Sequence, residues 1–320
     1  MSFEIRQATR QGVKPLVGFY GKSGSGKTMS ALLFARGIVG ASGRIVLIDT
    51  KNKRGSIFAD LIPGSYKTLD LDAPFSPDRY QEAIAEAEKV ADAIVIDSMS
   101  HEWSGEGGVL DWAEEELQRM GGGDNNKMRS WIKPKMSHKM MVQRLLRTKC
   151  ALICCLRGEE KTHVSKAESG QKAKVITDEF STPLFDSRFI FEMLLNFETV
   201  GRFNPKSEKV EGGYVIPRKI THPSIAPLLP KENEQIGERH GEALAKWCAS
   251  PGGTPAAMPL AKPSNKISRA QATELRDRVQ KSGADLTYFL AGLGVEKFCE
   301  ITQEKLGDAM VKLEAMERTV

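Results

Sequence analysis

The chain has 320 residues, of which 40% are hydrophobic and 27% are charged, and its formal net charge is +5. This composition is ordinary for a globular protein, is not typical of a disordered chain, and allows one large folded domain together with a smaller one. The N-terminal segment is polar, and no apolar run reaches the roughly 18 residues of a membrane span. We therefore expect a cytoplasmic protein without a membrane partner.

Strand and helix patterns alternate through residues 15–248. Apolar runs typical of buried strands occupy 15–20, 44–48, 93–96, 151–156, 189–197 and 214–220. Helical spacing occupies 28–39, 77–90, 109–120, 139–147 and 234–248. Buried strands separated by helices predict an α/β fold, with a mostly parallel sheet flanked by helices on both faces.

The composition changes after residue 249. Segment 250–266 contains four prolines and two glycines, which is typical of a linker. Beyond it, helical patterns over 270–281, 286–293 and 303–316 contain too few apolar residues for a large core. We therefore predict an α/β domain over 1–249, a linker over 250–266 and a small all-α module over 267–320.

Residues 21–28 read GKSGSGKT and match the phosphate-binding loop (P-loop, or Walker A) pattern G-x-x-x-x-G-K-[ST], between a predicted strand and a predicted helix. Glycines let successive N–H groups of such a loop point at phosphate oxygens, and the helix N-terminus adds partial positive charge. Lys27 is expected to reach the β- and γ-phosphates, and the Thr28 hydroxyl to bind Mg²⁺. The predicted ATP site comprises Gly21, Lys22, Ser23, Gly24, Ser25, Gly26, Lys27 and Thr28.

Acidic residues after the strand at 93–96 complete the expected metal side of this site. Asp97 ends that strand at the sheet edge where ligands bind, so we expect it to hold Mg²⁺ together with Thr28. Glu102 follows five residues later. It is either the group that activates water beside the γ-phosphate or a solvated loop acid, and the sequence leaves both interpretations open.

Three basic residues at strand ends are further candidates. Arg157 ends the strand that begins at 151, where its side chain either senses the γ-phosphate or is solvated. Arg218 and Lys219 end a late strand. They either act in trans across a subunit interface, as an arginine finger does, or are solvated charges. A trans role implies a homo-oligomer.

A basic stretch lies between Asn125 and Gly158, which contains no acidic residue. Basic side chains neutralise phosphates and an aromatic ring stacks on a base, so this mixture indicates a surface for single-stranded DNA. The alternative is a solvated helix face with Trp131 as a core anchor. The candidate DNA-binding residues are Lys127, Arg129, Trp131, Lys133, Lys135 and Lys139.

Four segments together resemble the phage-encoded AAA-family ATPases with a RecA-like core: GFYGKSGSGKTMSALLFARG, IVLIDTKNKRGSIFAD, IVIDSMSHEWSGEGGVLDW and HGEALAKW. The resemblance covers roughly residues 14–249 and implies ATP binding with a role in phage DNA recombination, repair or replication, in the host bacterial cytoplasm. In RecA, loops corresponding to 99–130 and 158–182 carry DNA contacts. The tail resembles small modules of phage recombination proteins, which implies a single-strand-binding or annealing protein as a partner.

One position departs from this family pattern. RecA-like enzymes usually place a Glu two residues after the aspartate of the second strand, where it positions the attacking water, but here Asp49 is followed by Thr50 and Lys51. The resemblance implies a DNA-stimulated ATPase, with Lys27, Asp97, Glu102 and Arg157 as catalytic candidates. The departure at Lys51 implies either that its hydrolysis is slow or that Glu102 has taken over as the base. A non-hydrolysing ATP-binding loader that acts through its tail, and a helicase-like motor, remain alternatives.

Overall fold

The computed structural model describes residues 5, 8–159, 162–164, 175–177, 181–204, 209–250, 267, 269–282, 285–295 and 297–317. Tertiary contacts divide the chain into two compact units, Met1–Pro251 and Gly252–Val320. Of the predicted linker 250–266, only Ser250 belongs to the described residues.

A mixed sheet organises the first unit. The strands of the chain are β1 (Leu16–Gly21), β2 (Ile45–Asp49), β3 (Lys67–Asp70), β4 (Ala93–Asp97), β5 (Ala151–Glu159), β6 (Thr162–Val164), β7 (Val175–Thr177), β8 (Thr182–Pro183), β9 (Leu195–Asn204), β10 (Lys209–Ile220) and β11 (Glu234–Gln235). Six neighbouring strands are parallel, in the order β9-β1-β5-β4-β2-β3. Strands β10 and β11 continue this sheet antiparallel beyond β9, β8 pairs antiparallel with β5, and β6 pairs with β7 in a separate ribbon.

Helices connect the strands and form the second unit. They are α1 (Lys27–Val39), α2 (Pro77–Glu88), α3 (Ser100–Ser104), α4 (Val109–Arg119), α5 (Asp124–Ser130), α6 (Ile132–Leu146), α7 (Phe189–Glu192), α8 (Glu238–Ala249), α9 (Arg269–Lys281), α10 (Leu286–Ala291) and α11 (Gln303–Glu317). Short 3₁₀ helices lie at Arg54–Phe58, Pro223–Leu228 and Phe298–Glu300.

The sheet has an apolar core on each face, because successive residues of a strand point to opposite sides. In β4, Ile94 and Ile96 pack with Tyr80 and Ile84 of α2 and with Met141 of α6. On the other face, strand side chains pack with α1 and α8. Helices on both faces bury β1, β2 and β4 completely, which confirms the predicted α/β fold.

Three predicted elements differ from the structure. The apolar run 189–197 is not one strand, since α7 occupies its first part and β9 begins only at Leu195. The predicted helix 234–248 begins with the two-residue strand β11 and becomes helical at Glu238, and the helix predicted over 139–147 begins earlier, at Ile132. A short apolar run suits a buried strand and a buried helix equally well, so periodicity alone does not separate them.

The second unit has an apolar core of its own. Leu275 and Val279 of α9, Phe289 of α10 and Leu313 of α11 are buried together. The rings of Phe289 and Phe298 stack with their centroids 5.9 Å apart. Among the described residues, no helix is long and apolar enough to cross a membrane.

Candidate functional site

The polar residues of the predicted site meet at one edge of the sheet. Gly21 of β1 is in register with Arg157 of β5, and Asp97 of β4 is in register with Asp49 of β2. Because β5 stands between β1 and β4, parallel strands deliver all four residues to the carboxyl edge, where α/β sheets bind ligands.

The predicted P-loop forms the turn from β1 into α1. Lys27 is the first residue of α1, and its ammonium donates hydrogen bonds to the carbonyl oxygens of Gly21 (2.8 Å) and Lys22 (2.7 Å). Gly26 caps the helix with φ +89°, in the left-handed region that favours glycine. Burial lowers the pKa of Lys27, and the nearby charge of Lys51 lowers it further. The ammonium therefore lies inside the loop, at the N-terminus of a helix, where anions bind.

The hairpin of β9 and β10 supports the P-loop from outside the predicted motif. The hydroxyls of Ser25 and Thr199 are 2.7 Å apart, and the N–H of Gly213 donates to the carbonyl of Ser25 at 2.9 Å. A Cβ atom added to Gly212 would lie 2.9 Å from the backbone of Gly26, so only glycine allows this approach. The sequence analysis did not identify this support, although the Gly-Gly pair stands directly before the predicted strand 214–220, and glycine in a strand signals a close backbone approach.

Asp97 connects the P-loop to the end of β2. Its Oδ2 accepts a hydrogen bond from the Thr28 hydroxyl at 2.5 Å, and its Oδ1 lies 2.5 Å from the Lys51 ammonium. A carboxylate and a hydroxyl oxygen side by side suit Mg²⁺, which prefers oxygen ligands. The two oxygen ligands predicted for the metal therefore lie together, and the Lys51 ammonium is paired with the other oxygen of Asp97.

A polar chain leads from the end of β2 to Arg157. The Thr50 hydroxyl lies 2.7 Å from Nδ1 of His101, and Nε2 of His101 lies 2.5 Å from a guanidinium nitrogen of Arg157. Burial lowers the pKa of His101, and the Arg157 charge lowers it further, which favours the neutral imidazole. His101 thus fixes the side chain that was expected to sense the γ-phosphate, a contact that no motif indicated.

These residues line a cleft of about 640 Å³. Its described lining carries the cationic side chains of Lys27, Lys51, Arg54 and Arg157, together with the acids Asp97 and Glu159. A less polar part of the wall is formed by Met29, Ile57 and Phe58. Glu159 was not predicted. It stands two residues after Arg157 on β5, so both side chains leave the same face of the strand.

Glu102 does not reach this cleft. Helix α3 turns its carboxylate toward α6, where it is 0% exposed and lies 3.0 Å from Nδ1 of His138. Burial raises the pKa of Glu102, and the bond to His138 opposes this rise. The placement disagrees with the expectation that Glu102 activates water beside the γ-phosphate, and we do not assign it that task.

Replacing Glu102 with Gln is expected to change stability rather than turnover. Because the folded-state pKa is raised, the ionisable carboxyl contributes stability that is present below its unfolded pKa and is lost as pH rises through the folded pKa. The side-chain amide of the variant Glu102→Gln does not ionise, so the variant does not lose this stability as pH rises. Its free energy of unfolding, relative to that of the parent, therefore increases with pH by at most about 1.4 kcal/mol per pH unit. Denaturant unfolding at several pH values measures it, with Glu115→Gln on the exposed side of α4 as control. A loss of ATP turnover in a folded Glu102→Gln variant would contradict the conclusion that Glu102 has no part in ATP hydrolysis.

Arg218 and Lys219 contact their own chain. The Arg218 guanidinium pairs with Glu198 at 2.5 Å, and the Lys219 ammonium donates to the carbonyls of Ile190 (3.1 Å) and Phe191 (2.6 Å). Lys219 pairs with Asn196 near the start of β9, away from the carboxyl edge of the parallel strands. The contacts anchor the end of β10, and a trans role for either residue remains a prediction.

The predicted DNA-binding residues lie on α5, α6 and their junction. Lys127 pairs with Asp124 at 2.7 Å and Lys133 approaches Glu116 at 3.5 Å, whereas Arg129, Lys135 and Lys139 are exposed. Trp131 is half-buried beside Trp103, with the Lys135 ammonium 5.0 Å from its ring centroid. The exposed side also carries a ridge of apolar residues at four-residue spacing, Met128, Ile132, Met136 and Met140. Most of the implied DNA loop 158–182 lies outside the described residues.

The model of a protein family described as an AAA domain matches residues 14–213 of the chain. The match covers more than half of the 320 residues and includes the P-loop, Asp97, Arg157 and the Gly212–Gly213 pair. A comparison with curated proteins finds no match.

Proposed function

This chain belongs to the AAA-domain family, and we propose that it binds ATP with Mg²⁺ and hydrolyses it slowly. The observation that carries the proposal is the convergence of Lys27, Thr28 and Asp97 around one cleft. The Lys27 ammonium stands inside the loop, and the Thr28 and Asp97 oxygens lie together beside it. A glycine-rich turn with a purely structural role has no need of a buried ammonium there.

Each side chain of the cleft has a task in this proposal. Lys27 binds the β- and γ-phosphates, and Thr28 and Asp97 hold Mg²⁺. When bound, Mg²⁺ neutralises phosphate charge. Arg157, fixed by His101, stabilises negative charge at the terminal phosphate, and Glu159 is the carboxylate available to orient water.

Slow hydrolysis follows from Lys51. A charged ammonium cannot accept a proton from water, and it attracts the terminal phosphate before reaction as well as during it. Ground-state binding without a matching gain in the transition state does not accelerate the chemical step. ATP is therefore held for long periods, which suits a conformational switch.

ATP hydrolysis measured with and without single-stranded DNA tests the proposed activity. We expect slow basal release of phosphate that single-stranded DNA increases. ATP binding with no release of phosphate under either condition would favour the non-hydrolysing loader. ATP-dependent, directional unwinding of duplex DNA would favour the helicase-like motor.

We further propose that the exposed side of α5 and α6 binds single-stranded DNA, in a RecA-like role in phage recombination, repair or replication. Arg129, Lys135 and Lys139 supply cations for phosphates. The ridge of Met128, Ile132, Met136 and Met140 supplies apolar surface beside them, and unstacked bases present apolar faces of their own. The resemblance to phage-encoded ATPases supports this role, in an oligomer whose tail recruits a single-strand-binding or annealing protein.

Replacing Lys135 and Lys139 together with Ala is expected to weaken binding of single-stranded DNA and to flatten its salt dependence. Each phosphate contact that is lost reduces the number of counterions released on binding. The slope of the logarithm of the binding constant against the logarithm of the salt concentration therefore falls in magnitude by about 0.7 per contact, or roughly 1.4 for two. Fluorescence anisotropy of a labelled oligonucleotide across salt concentrations measures both effects. The charge-matched control is Lys67→Ala with Lys231→Ala, two exposed lysines outside α5 and α6. Equal slopes in the two double variants would contradict DNA binding at this surface.

A further inference from the structure

Lys51 has a fixed position beside the phosphate site. Its backbone N–H donates to Asp49 Oδ1 at 2.7 Å, and the other oxygen of Asp49 accepts the N–H of Gly55 at 2.6 Å. The preceding N–H, that of Thr50, donates to the carbonyl of Asp97 at 3.0 Å. The buried carboxylate and the β4 backbone therefore hold the residue that carries the ammonium.

The Lys51 side chain reaches inward from this anchor. It is 24% exposed, and its ammonium lies 2.5 Å from Oδ1 of Asp97, whose own side chain is 4% exposed. The other oxygen of the same carboxylate accepts a hydrogen bond from the Thr28 hydroxyl. Asp97 is thus neutralised by a cation that belongs to the protein, and its Thr28 side is left for a metal ion.

The charges that line the cleft determine how the Lys51–Asp97 pair affects the binding of ATP. A carboxylate at a triphosphate site repels the phosphates, and a divalent cation ordinarily removes that repulsion. Here Lys51 removes part of it without any metal, and Lys27, Arg54 and Arg157 add three more positive side chains to the lining. The described lining has four cationic and two acidic side chains, so it is suited to the free ATP anion as well as to its Mg²⁺ complex.

We propose that Lys51 acts as a built-in cation at Asp97 that makes ATP binding largely independent of Mg²⁺. This inference rests on the proposed ATP site and specifies that the site accepts free ATP as well as its Mg²⁺ complex. The protein retains ATP when Mg²⁺ is scarce, and the metal is then required mainly for the chemical step. Removing the Lys51 charge leaves Asp97 facing the phosphates and restores the ordinary requirement for Mg²⁺.

The test compares ATP affinity by calorimetry in excess Mg²⁺ and in EDTA, with the full chain. For the parent we expect the dissociation constant in EDTA to exceed that in Mg²⁺ by less than about tenfold. For Lys51→Met we expect this ratio to be at least about tenfold larger, since charged hydrogen-bonded pairs contribute effects of this order. Lys51→Arg restores the charge and is expected to return the ratio to the parental value. Lys53→Met is the control, because it removes the same charge from an exposed residue two positions along the chain.

Equal ratios in the parent and in Lys51→Met, with tight ATP binding in Mg²⁺, would overturn this inference and leave the proposed function intact. Lack of ATP binding by the parent in Mg²⁺ and in EDTA would overturn both. Thermal unfolding without nucleotide shows whether each variant is folded, and a ratio in Lys51→Arg as large as in Lys51→Met assigns the effect to lost packing and overturns the role of the charge.

Discussion

Lys27→Ala is expected to abolish tight ATP binding. The variant loses the ammonium that the P-loop holds between the carbonyls of Gly21 and Lys22, where a bound triphosphate would take over as its partner. Hydrogen bonds to charged groups contribute about 1.5–3 kcal/mol each, so we expect the dissociation constant to rise on the order of a hundredfold. Calorimetric titration with ATP in Mg²⁺ measures this change.

The stability of Lys27→Ala without nucleotide is expected to change little. Burial already lowers the pKa of Lys27, which means that the folded protein accommodates this charge at some cost. Removing the Lys27 ammonium relieves that cost but also removes its two hydrogen bonds, and these two effects on stability oppose each other. Lys67→Ala on β3 is the charge-matched control and should bind ATP as the parent does. An unchanged affinity in Lys27→Ala would refute the assignment of the P-loop.

Lys51→Glu is expected to raise the rate of ATP hydrolysis about tenfold or more, which corresponds to a decrease of about 1.4 kcal/mol in the barrier. A carboxylate held by the same backbone anchor accepts a hydrogen bond from water, which the ammonium cannot do. The new carboxylate would stand beside Asp97, so the gain requires saturating Mg²⁺ to limit their repulsion. Single-turnover hydrolysis under these conditions reports the chemical step.

Lys53→Glu makes the same change of charge two residues away and should leave the rate unaltered. Should Lys51→Glu have no effect while Glu159→Gln abolishes turnover, then Glu159 orients the water and Lys51 has no part in the chemical step. A parent protein that already hydrolyses tens of ATP molecules per second would exclude the slow switch altogether.

Local chemistry in the sequence was sufficient to predict the α/β fold. The strands β1, β2, β4 and β5 are almost continuous apolar runs, because helices cover both faces of a parallel sheet and each side chain must be apolar. The run 189–197 misled the prediction for the same reason. A segment that is apolar throughout has no periodicity with which to distinguish the helix α7 from the strand β9.

The residues 21–28 alone identified the P-loop that we propose as the phosphate site, because its glycines, lysine and threonine act within eight consecutive residues. Asp97 could be added because strand ends of a parallel sheet share one edge. Which other side chains meet at this edge depends on how the chain folds in three dimensions. The tertiary structure turned Glu102 away toward His138, brought His101 to Arg157 and Gly212 to Gly26, and set Lys51 on Asp97. Such contacts join residues far apart in the chain through the rotation of a short helix or the path of a strand, and a local pattern carries no information about either.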